Sequence, residues 1–283
     1  MKPRFACADF AFPLLAHDNA LKLISMMGFD GVDIGLFQGR SHLQPFSVFK
    51  ELEKNAKVLK EKFDALNLAA ADVFLQLDLD FSKAAVNHPE KKIRDFAREY
   101  FKKTLDFAAA LKSGHTTVLP GVYFSGESRA ASFDRCVSEL DWRINEAAKY
   151  GIAFGVEGHI GSIISEPESI LKLLKALPKL KLTLDYTHFK KQGIPDERVH
   201  GLIKYANHFH ARGAANGRLQ VVLPENEIDY AAIAAEMVKT NYSGYIGIEY
   251  TWTEWENCDK TDNVSESIRL KDFLKKEFSK WAN

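Results

Sequence analysis

The sequence has few cysteines, and their placement argues against two classes of site. Cys7, Cys136 and Cys258 are odd in number and far apart, and no Cys-x-x-Cys pair is present. A disulfide-stabilised secreted domain and a thiolate zinc site both need paired cysteines. Reduced thiols are typical of the cytosol, so the sequence predicts a cytoplasmic protein.

The chain also lacks an excess of charge and long apolar runs. Its 38 Lys and Arg residues balance 38 Asp and Glu residues, which leaves no electrostatic footprint for nucleic acid or an acidic membrane surface. No stretch approaches the ~20 apolar residues of a membrane span, and the apolar run after Arg4 is too short for a signal peptide. We therefore expect neither nucleic acid nor a membrane among its partners.

What the sequence does contain is a repeated unit: an amphipathic helix, a Gly or Asn, and a short apolar strand. One helix face is marked by apolar residues that step by four and three, namely Leu52, Ala56, Leu59, Phe63 and Leu66. Asn67 follows that helix, and Gly28, Gly114, Gly151 and Asn241 hold the equivalent place in other units. Gly and Asn tolerate the left-handed conformation that ends a helix, so we expect it at these positions.

Eight apolar runs qualify as strands, each followed by room for a helix, of which the sixth, near Pro195 to Ile203, is short. They begin near Arg4, Gly31, Leu68, His115, Ile152, Lys181, Ala206 and Gly244. Continuous apolar strands are buried on both faces, as parallel strands are, and ~35 residues per unit is the size of a βα repeat. A doubly wound open sheet is the alternative, but the first strand lacks the Gly-x-Gly-x-x-Gly turn. With no linker visible, the sequence predicts an α/β protein whose residues 1–283 form one single-domain (β/α)8 TIM barrel.

Ionisable residues gather at the C-terminal ends of the last four strands, where such barrels carry their active sites. Glu157 ends strand five, Asp185 ends strand six, and Glu249 ends strand eight. Strand seven ends in His208-Phe209-His210, and strand alternation sends both histidines to the same side, so spacing does not choose between them. Three crowded carboxylates repel each other and are costly to bury without a cation. The set therefore predicts a divalent metal site.

These motifs resemble the xylose-isomerase-like TIM-barrel superfamily, and within it the sugar phosphate isomerase/epimerase branch. The resemblance covers essentially the whole chain and is most specific in Val156–Ser162, Leu182–Phe189, His208–His210 and Ile246–Glu249. It implies that the metal is held by Glu157, Asp185, His210 and Glu249. It also implies substrate contacts from His188 and from an arginine after strand seven, for which Arg212 and Arg218 compete. His159 matches a Glu-x-His pattern in part of the branch and is a further expected substrate contact.

The residue types indicate the chemistry. An oxygen-rich set favours one divalent ion, with Mn²⁺ first and Mg²⁺, Co²⁺ or Zn²⁺ as alternatives. Such an ion polarises a carbonyl and stabilises the enediolate formed when the neighbouring C–H proton leaves, and Glu157 and Glu249 can serve as acid and base. We expect a metal-dependent isomerase or epimerase of a small sugar, ketose or keto-acid, with Glu157 and Glu249 both as ligands and as catalytic residues.

Three other functions start from the same barrel. A metal-dependent dehydratase or decarboxylase acting on an oxidised sugar or inosose would share the proton abstraction. An apurinic-site endonuclease would need further histidines on early strands, where strand three offers only Asp72. A non-catalytic sugar-binding barrel would lose the acid/base pair, yet both Glu157 and Glu249 are present. The expected partner is a small sugar-like molecule, and a homodimer or homotetramer is expected by analogy alone.

Overall fold

Eight parallel strands close into a barrel in the computed structural model, which describes residues 3–281. Each strand pairs with the next along the chain, and β1 pairs with β8 to close the barrel. The strands are β1 (Arg4–Ala8), β2 (Gly31–Phe37), β3 (Ala69–Gln76), β4 (His115–Val118), β5 (Ala153–Glu157), β6 (Lys181–Asp185), β7 (Ala206–Ala211) and β8 (Tyr245–Ile248). The predicted (β/α)8 barrel is confirmed.

Helices follow the strands and form the outer layer. They are α1 (His17–Met26), α2 (Pro45–Val48), α3 (Leu52–Ala65), α4 (Lys91–Leu111), α5 (Arg129–Ala148), α6 (Pro167–Ala176), α7 (Tyr186–Lys191), α8 (Glu197–His200), α9 (Tyr230–Lys239) and α10 (Asn263–Ser279). Single 3-10 turns span Asp9–Ala11, Phe49–Glu51, Ile203–Tyr205, Leu223–Glu225 and Glu254–Glu256. Within residues 3–281, no helix has the length and apolar character needed to cross a membrane.

The predicted strand starts agree with the structure to within one residue, because buried parallel strands read as unbroken apolar runs. The sixth unit differs. A helix was expected from about Pro195 to Ile203, but α7 begins directly at the end of β6, and α8 follows as a single turn. The side chain of Asp185 caps α7 by accepting the Thr187 N–H at 2.8 Å, so the end of the strand also starts a helix.

Four of the five predicted left-handed helix ends are confirmed. Positive φ angles occur at Gly28, Asn67, Gly151 and Asn241. The prediction for Gly114 is wrong, because α4 ends at Leu111 and the left-handed residue is Lys112, two residues earlier, with φ of 59°. Lys112 donates its backbone N–H to the carbonyl of Ala109 (3.0 Å), which satisfies the helix end without a glycine.

Candidate active site

The four residues predicted as metal ligands converge at the C-terminal end of the barrel. Glu157 and Asp185 are the last residues of β5 and β6, His210 is the fifth residue of β7, and Glu249 directly follows β8. All four are buried, and each offers one ligand atom within 4.8 Å of the others. Parallel strands end at the same rim of a barrel, which is why residues nearly a hundred positions apart meet here.

His210 is the central residue of this group. Its Nδ1 lies 2.9 Å from Glu157 Oε1 and 3.3 Å from Glu249 Oε2. Asp185 has different neighbours: its Oδ2 lies 3.5 Å from His188 Nε2 and 3.6 Å from Arg212 Nη2. Asp185 Oδ2 is nevertheless buried without a hydrogen bond to any described residue.

Burial and crowding shift the pKa values of the site in opposite directions. Burial raises the pKa of Glu249 to about 7, and the charges of Glu157 and Asp185 add to the rise. Burial also raises the pKa of Asp185. Burial acts the same way on Glu157, but the hydrogen bond with His210, together with the positive charges of His210, His159 and Arg212, outweighs it and leaves the Glu157 pKa below its ordinary value. Burial opposes the charged form of His210, yet Glu249 and Glu157 hold its pKa well above the ordinary range.

The donor set fits a divalent cation. Three carboxylates and one imidazole supply hard oxygen and nitrogen donors, the combination that suits Mn²⁺ or Mg²⁺. Asp185 Oδ2 accepts no hydrogen bond from a described residue and has Arg212 only at 3.6 Å, so a bound cation would complete its surroundings. Without a metal, protons on Glu249 and His210 offset the carboxylate charge, and a cation would take their place.

A cavity of about 420 Å³ opens directly above this group. It is lined by Phe37, Arg40, Phe74, Gln76, Leu79, Asp80, Phe81, Leu119, Glu157, His159, His188, Arg212, Glu249, Thr251, Trp255 and Glu256. The rings of His159 and His188 lie 4.1 Å apart on one wall. Both histidines predicted to contact substrate therefore face the same space as Glu157 and Glu249.

The structure separates the two arginines that the sequence left open. Arg212 is buried, lines the cavity, and places Nη1 3.1 Å from Thr251 Oγ1. Arg218 lies on the surface, where its Nη1 is 2.5 Å from Glu225 Oε2, and does not line the cavity. Of these two arginines, only Arg212 faces the cavity.

Sequence reasoning missed the residues that β2 and β3 contribute. Phe37 and Gln76 are the last residues of β2 and β3, and Arg40 lies three residues after Phe37. The Arg40 guanidinium lies over the ring of Phe37, 5.2 Å from its centroid, and takes part in no salt bridge of residues 3–281. The rule applied to strands five to eight would have found Phe37 and Gln76 had it been extended to every strand end. Trp255 lines the same cavity from the loop after β8.

Fold and site together define a barrel with a cavity lined by ionisable residues at its C-terminal face, and comparison with known proteins gives the family. The chain belongs to the xylose isomerase-like TIM barrel family, which matches residues 21–277. The predicted resemblance is confirmed at this level.

A curated relative from Pectobacterium atrosepticum, a 2-oxo-tetronate isomerase, is 26% identical over 162 residues. The match covers 54% of this chain and 61% of the relative, so the chain spans about three fifths of that relative's length.

Solved structures share the fold. D-psicose 3-epimerase from Clostridium cellulolyticum, crystallised with D-tagatose, superposes with a TM-score of 0.77 at 15% identity, over 97% of this chain and 99% of that chain. A D-tagatose 3-epimerase-like protein gives 0.76 at 23% identity, over 99% and 100%. The 3-keto-D-glucoside 4-epimerase of E. coli gives 0.75 at 15% identity, over 97% and 100%. At these identities the likeness shows the fold alone.

Proposed function

We propose that the protein is a metal-dependent isomerase or epimerase of a small ketose or keto-acid. The observation that carries this proposal is the pair Glu157 and Glu249, which face one cavity with pKa values shifted in opposite directions. Two carboxylates whose environments separate their pKa values are suited to opposite roles in proton transfer. A simple sugar-binding barrel has no use for such a pair.

The metal would be held by Glu157, Asp185, His210 and Glu249, with Mn²⁺ as the first expectation. When bound, the metal would supply a positive charge that polarises the substrate carbonyl and stabilises the negative charge that develops on the carbonyl oxygen. The four residues could hold one such ion, because their ligand atoms already lie within 4.8 Å of one another.

The two glutamates would move the proton. Glu157, whose lowered pKa keeps it ionised and able to accept a proton, takes the proton from the carbon next to the carbonyl. The C–H electron pair passes into an enediolate. Glu249, which faces the same cavity, would deliver a proton drawn from solvent to one carbon of that intermediate, while the proton on Glu157 is released to solvent. Return to the neighbouring carbon, with the hydroxyl proton passing to the former carbonyl oxygen, gives an isomer. Return to the opposite face of the first carbon gives an epimer. In the reverse reaction the two glutamates exchange roles.

The remaining wall residues would position the substrate. His159, His188 and Arg212 carry polar groups into the cavity beside the glutamates, suited to hydroxyl and carbonyl oxygens. Arg40, which has no carboxylate partner in the described chain, supports a substrate with an acidic group, and the relative that acts as a 2-oxo-tetronate isomerase points the same way. A keto-acid is therefore favoured over a neutral ketose.

A panel of substrates tests the proposed function. Metal-replete protein is incubated with ketoses, keto-acids and oxidised inositols in D₂O, and the product masses are measured by mass spectrometry. Deuterium uptake without loss of water or CO₂ supports an isomerase or epimerase. Loss of water or CO₂ would instead identify a dehydratase or decarboxylase that uses the same proton abstraction.

His188→Ala should keep the metal and lose about tenfold in kcat/KM, the worth of one hydrogen bond to the substrate. His188 lines the cavity but lies outside the four-residue group. Metal content and steady-state kinetics on the same preparation check this. If the variant lost its metal, His188 would have to be a ligand, a real alternative because its Nε2 is 3.5 Å from Asp185 Oδ2.

Metal binding should release protons and strengthen as the pH rises from 6 to 8. The Glu249 pKa is raised to about 7, so Glu249 holds a proton below pH 7 and must lose it to bind metal. Each proton displaced makes the apparent affinity rise by up to about tenfold per pH unit until the group is ionised in the free protein. Calorimetric titration with Mn²⁺ in two buffers of different ionisation enthalpy counts the protons. Constant affinity over this range would show that Glu249 does not bind metal.

A further inference from the structure

A polar network fills the barrel beneath the proposed metal site. Asp33 on β2 lies 3.0 Å from His208 on β7 through Oδ2 and Nε2. Two strands, β8 and β1, separate β2 from β7, so this contact crosses the barrel interior. On β3 and β4, Asp72 Oδ1 lies 2.8 Å from His115 Nδ1. All four residues are buried, in positions where most barrels carry apolar side chains.

The backbone around the Asp33–His208 pair is irregular and leaves room for it. The register between β6 and β7 shifts between Leu182 and Thr183, which pair with Ala206 and His208, so Asn207 is an extra residue. On β8, a Cβ at Gly247 would overlap Asp33 Oδ2 and come within 3.1 Å of His208 Nε2. Glycine at 247 therefore makes the room that Asp33 occupies.

Asp33 also faces the imidazole of His210. His210 turns Nδ1 toward Glu157 and Glu249, and on the opposite side its Nε2 lies 3.9 Å from Asp33 Oδ2. Both His210 Nε2 and Asp33 Oδ1 are buried without a hydrogen bond to any residue between 3 and 281. Asp33 Oδ2, which pairs with His208, is thus about 1 Å beyond the ordinary hydrogen-bond distance from His210 Nε2, and the other carboxylate oxygen, Oδ1, is free to accept a proton.

A histidine that binds metal through Nδ1 must carry its proton on Nε2, and that proton needs an acceptor in a buried site. We infer that Asp33 is a positioning residue for the metal site: it accepts the Nε2 proton of His210 and fixes the ring with Nδ1 toward the ion. His208 holds the carboxylate in place from below. This inference rests on the proposed metal site. It also explains why His210 rather than His208 would be the ligand, since Asp33 pairs with His208 and orients His210.

The same three residues could be read as a second cation site, since Asp33, His208 and His210 offer ligand atoms within 4.8 Å of one another. The distances favour the positioning role. His208 and Asp33 are already at hydrogen-bond distance. A second ion would also require His210 to bind one metal through each nitrogen.

The test compares two isosteric changes by calorimetric titration with Mn²⁺. Asp33→Asn should weaken binding by about 10- to 100-fold, the usual cost of losing a partner that orients a metal ligand. Asp72→Asn is the matched control, because Asp72 is equally buried and also pairs with a histidine, but it does not contact His210. Its affinity for Mn²⁺ should stay close to the parent's.

A second measurement does not depend on the variants' affinities. In the Zn²⁺-loaded parent, proton NMR should show a strongly downfield imidazole N–H from His210, and Asp33→Asn should remove it. Equal Mn²⁺ affinity for Asp33→Asn and the parent would overturn the inference while leaving the proposed function intact. Two ions per parent chain, with one lost in Asp33→Asn, would overturn it in favour of a second site. A parent that binds no metal would overturn the proposed function as well.

Discussion

Glu157→Gln and Glu249→Gln are each expected to lower kcat by at least ~10²-fold, the usual worth of a positioned acid or base. Glutamine keeps the size of the side chain and one oxygen that can still coordinate weakly, so metal should be retained in part. The two variants should differ in which proton exchange they block, one with substrate and the other with product. Single-turnover assays in D₂O, with metal content measured on the same samples, distinguish these outcomes.

Glu256→Gln is the matched control for both. Glu256 lines the same cavity but lies outside the four-residue group, so its loss of activity should be much smaller. If only one glutamine variant loses activity, a single base is sufficient, as a decarboxylase would need. If both retain near-parental rates with metal bound, the glutamates are ligands only, and the proton-transfer assignment is refuted.

Asp185→Ala should abolish activity and weaken metal binding by more than ~100-fold. Its removal leaves two carboxylates and one imidazole, an incomplete set of ligands, and even changes to residues that only support ligands cost about 10- to 100-fold in affinity. The variant should still fold, but with lower stability, because it loses the cap of α7 and the carboxylate beside the buried Arg212. Mn²⁺ titration followed by calorimetry, with circular dichroism to verify folding, gives both quantities.

Asp196→Ala controls for the loss of a buried aspartate in the same region. Asp196 is ion-paired with Lys190 at 2.9 Å and does not line the cavity. It should lose stability without losing affinity for the metal. Parental metal affinity in Asp185→Ala would show that Asp185 is not a ligand.

The barrel was predictable because its signals are local. Buried parallel strands appear as apolar runs, and Gly or Asn marks most helix ends, so strand order and approximate bounds follow from the sequence alone. Lys112 shows the limit of this reasoning. Lys112 adopts the left-handed conformation at the end of α4, although the side-chain preference of lysine gives no sign of it.

The site was predictable only in part. Strand ends meet at one rim, so Glu157, Asp185 and Glu249 could be grouped before any contact was known. The partner of His208 could not be found this way, because Asp33 is 175 residues away and reaches it across the closed barrel. The choice between Arg212 and Arg218 depends on the path of the loop after β7, which carries no periodic signal. Arg40 reaches the cavity for a similar reason, through a turn after β2.

Anomalous diffraction from crystals grown with Mn²⁺ tests the central claim most directly, because it gives both the number and the position of bound ions. The account predicts one manganese peak per chain, at coordination distance from Glu157, Asp185, His210 and Glu249, with the His210 Nε2 hydrogen-bonded to Asp33. No peak at this position, or two or three ions extending toward Asp72 and His115, would contradict it.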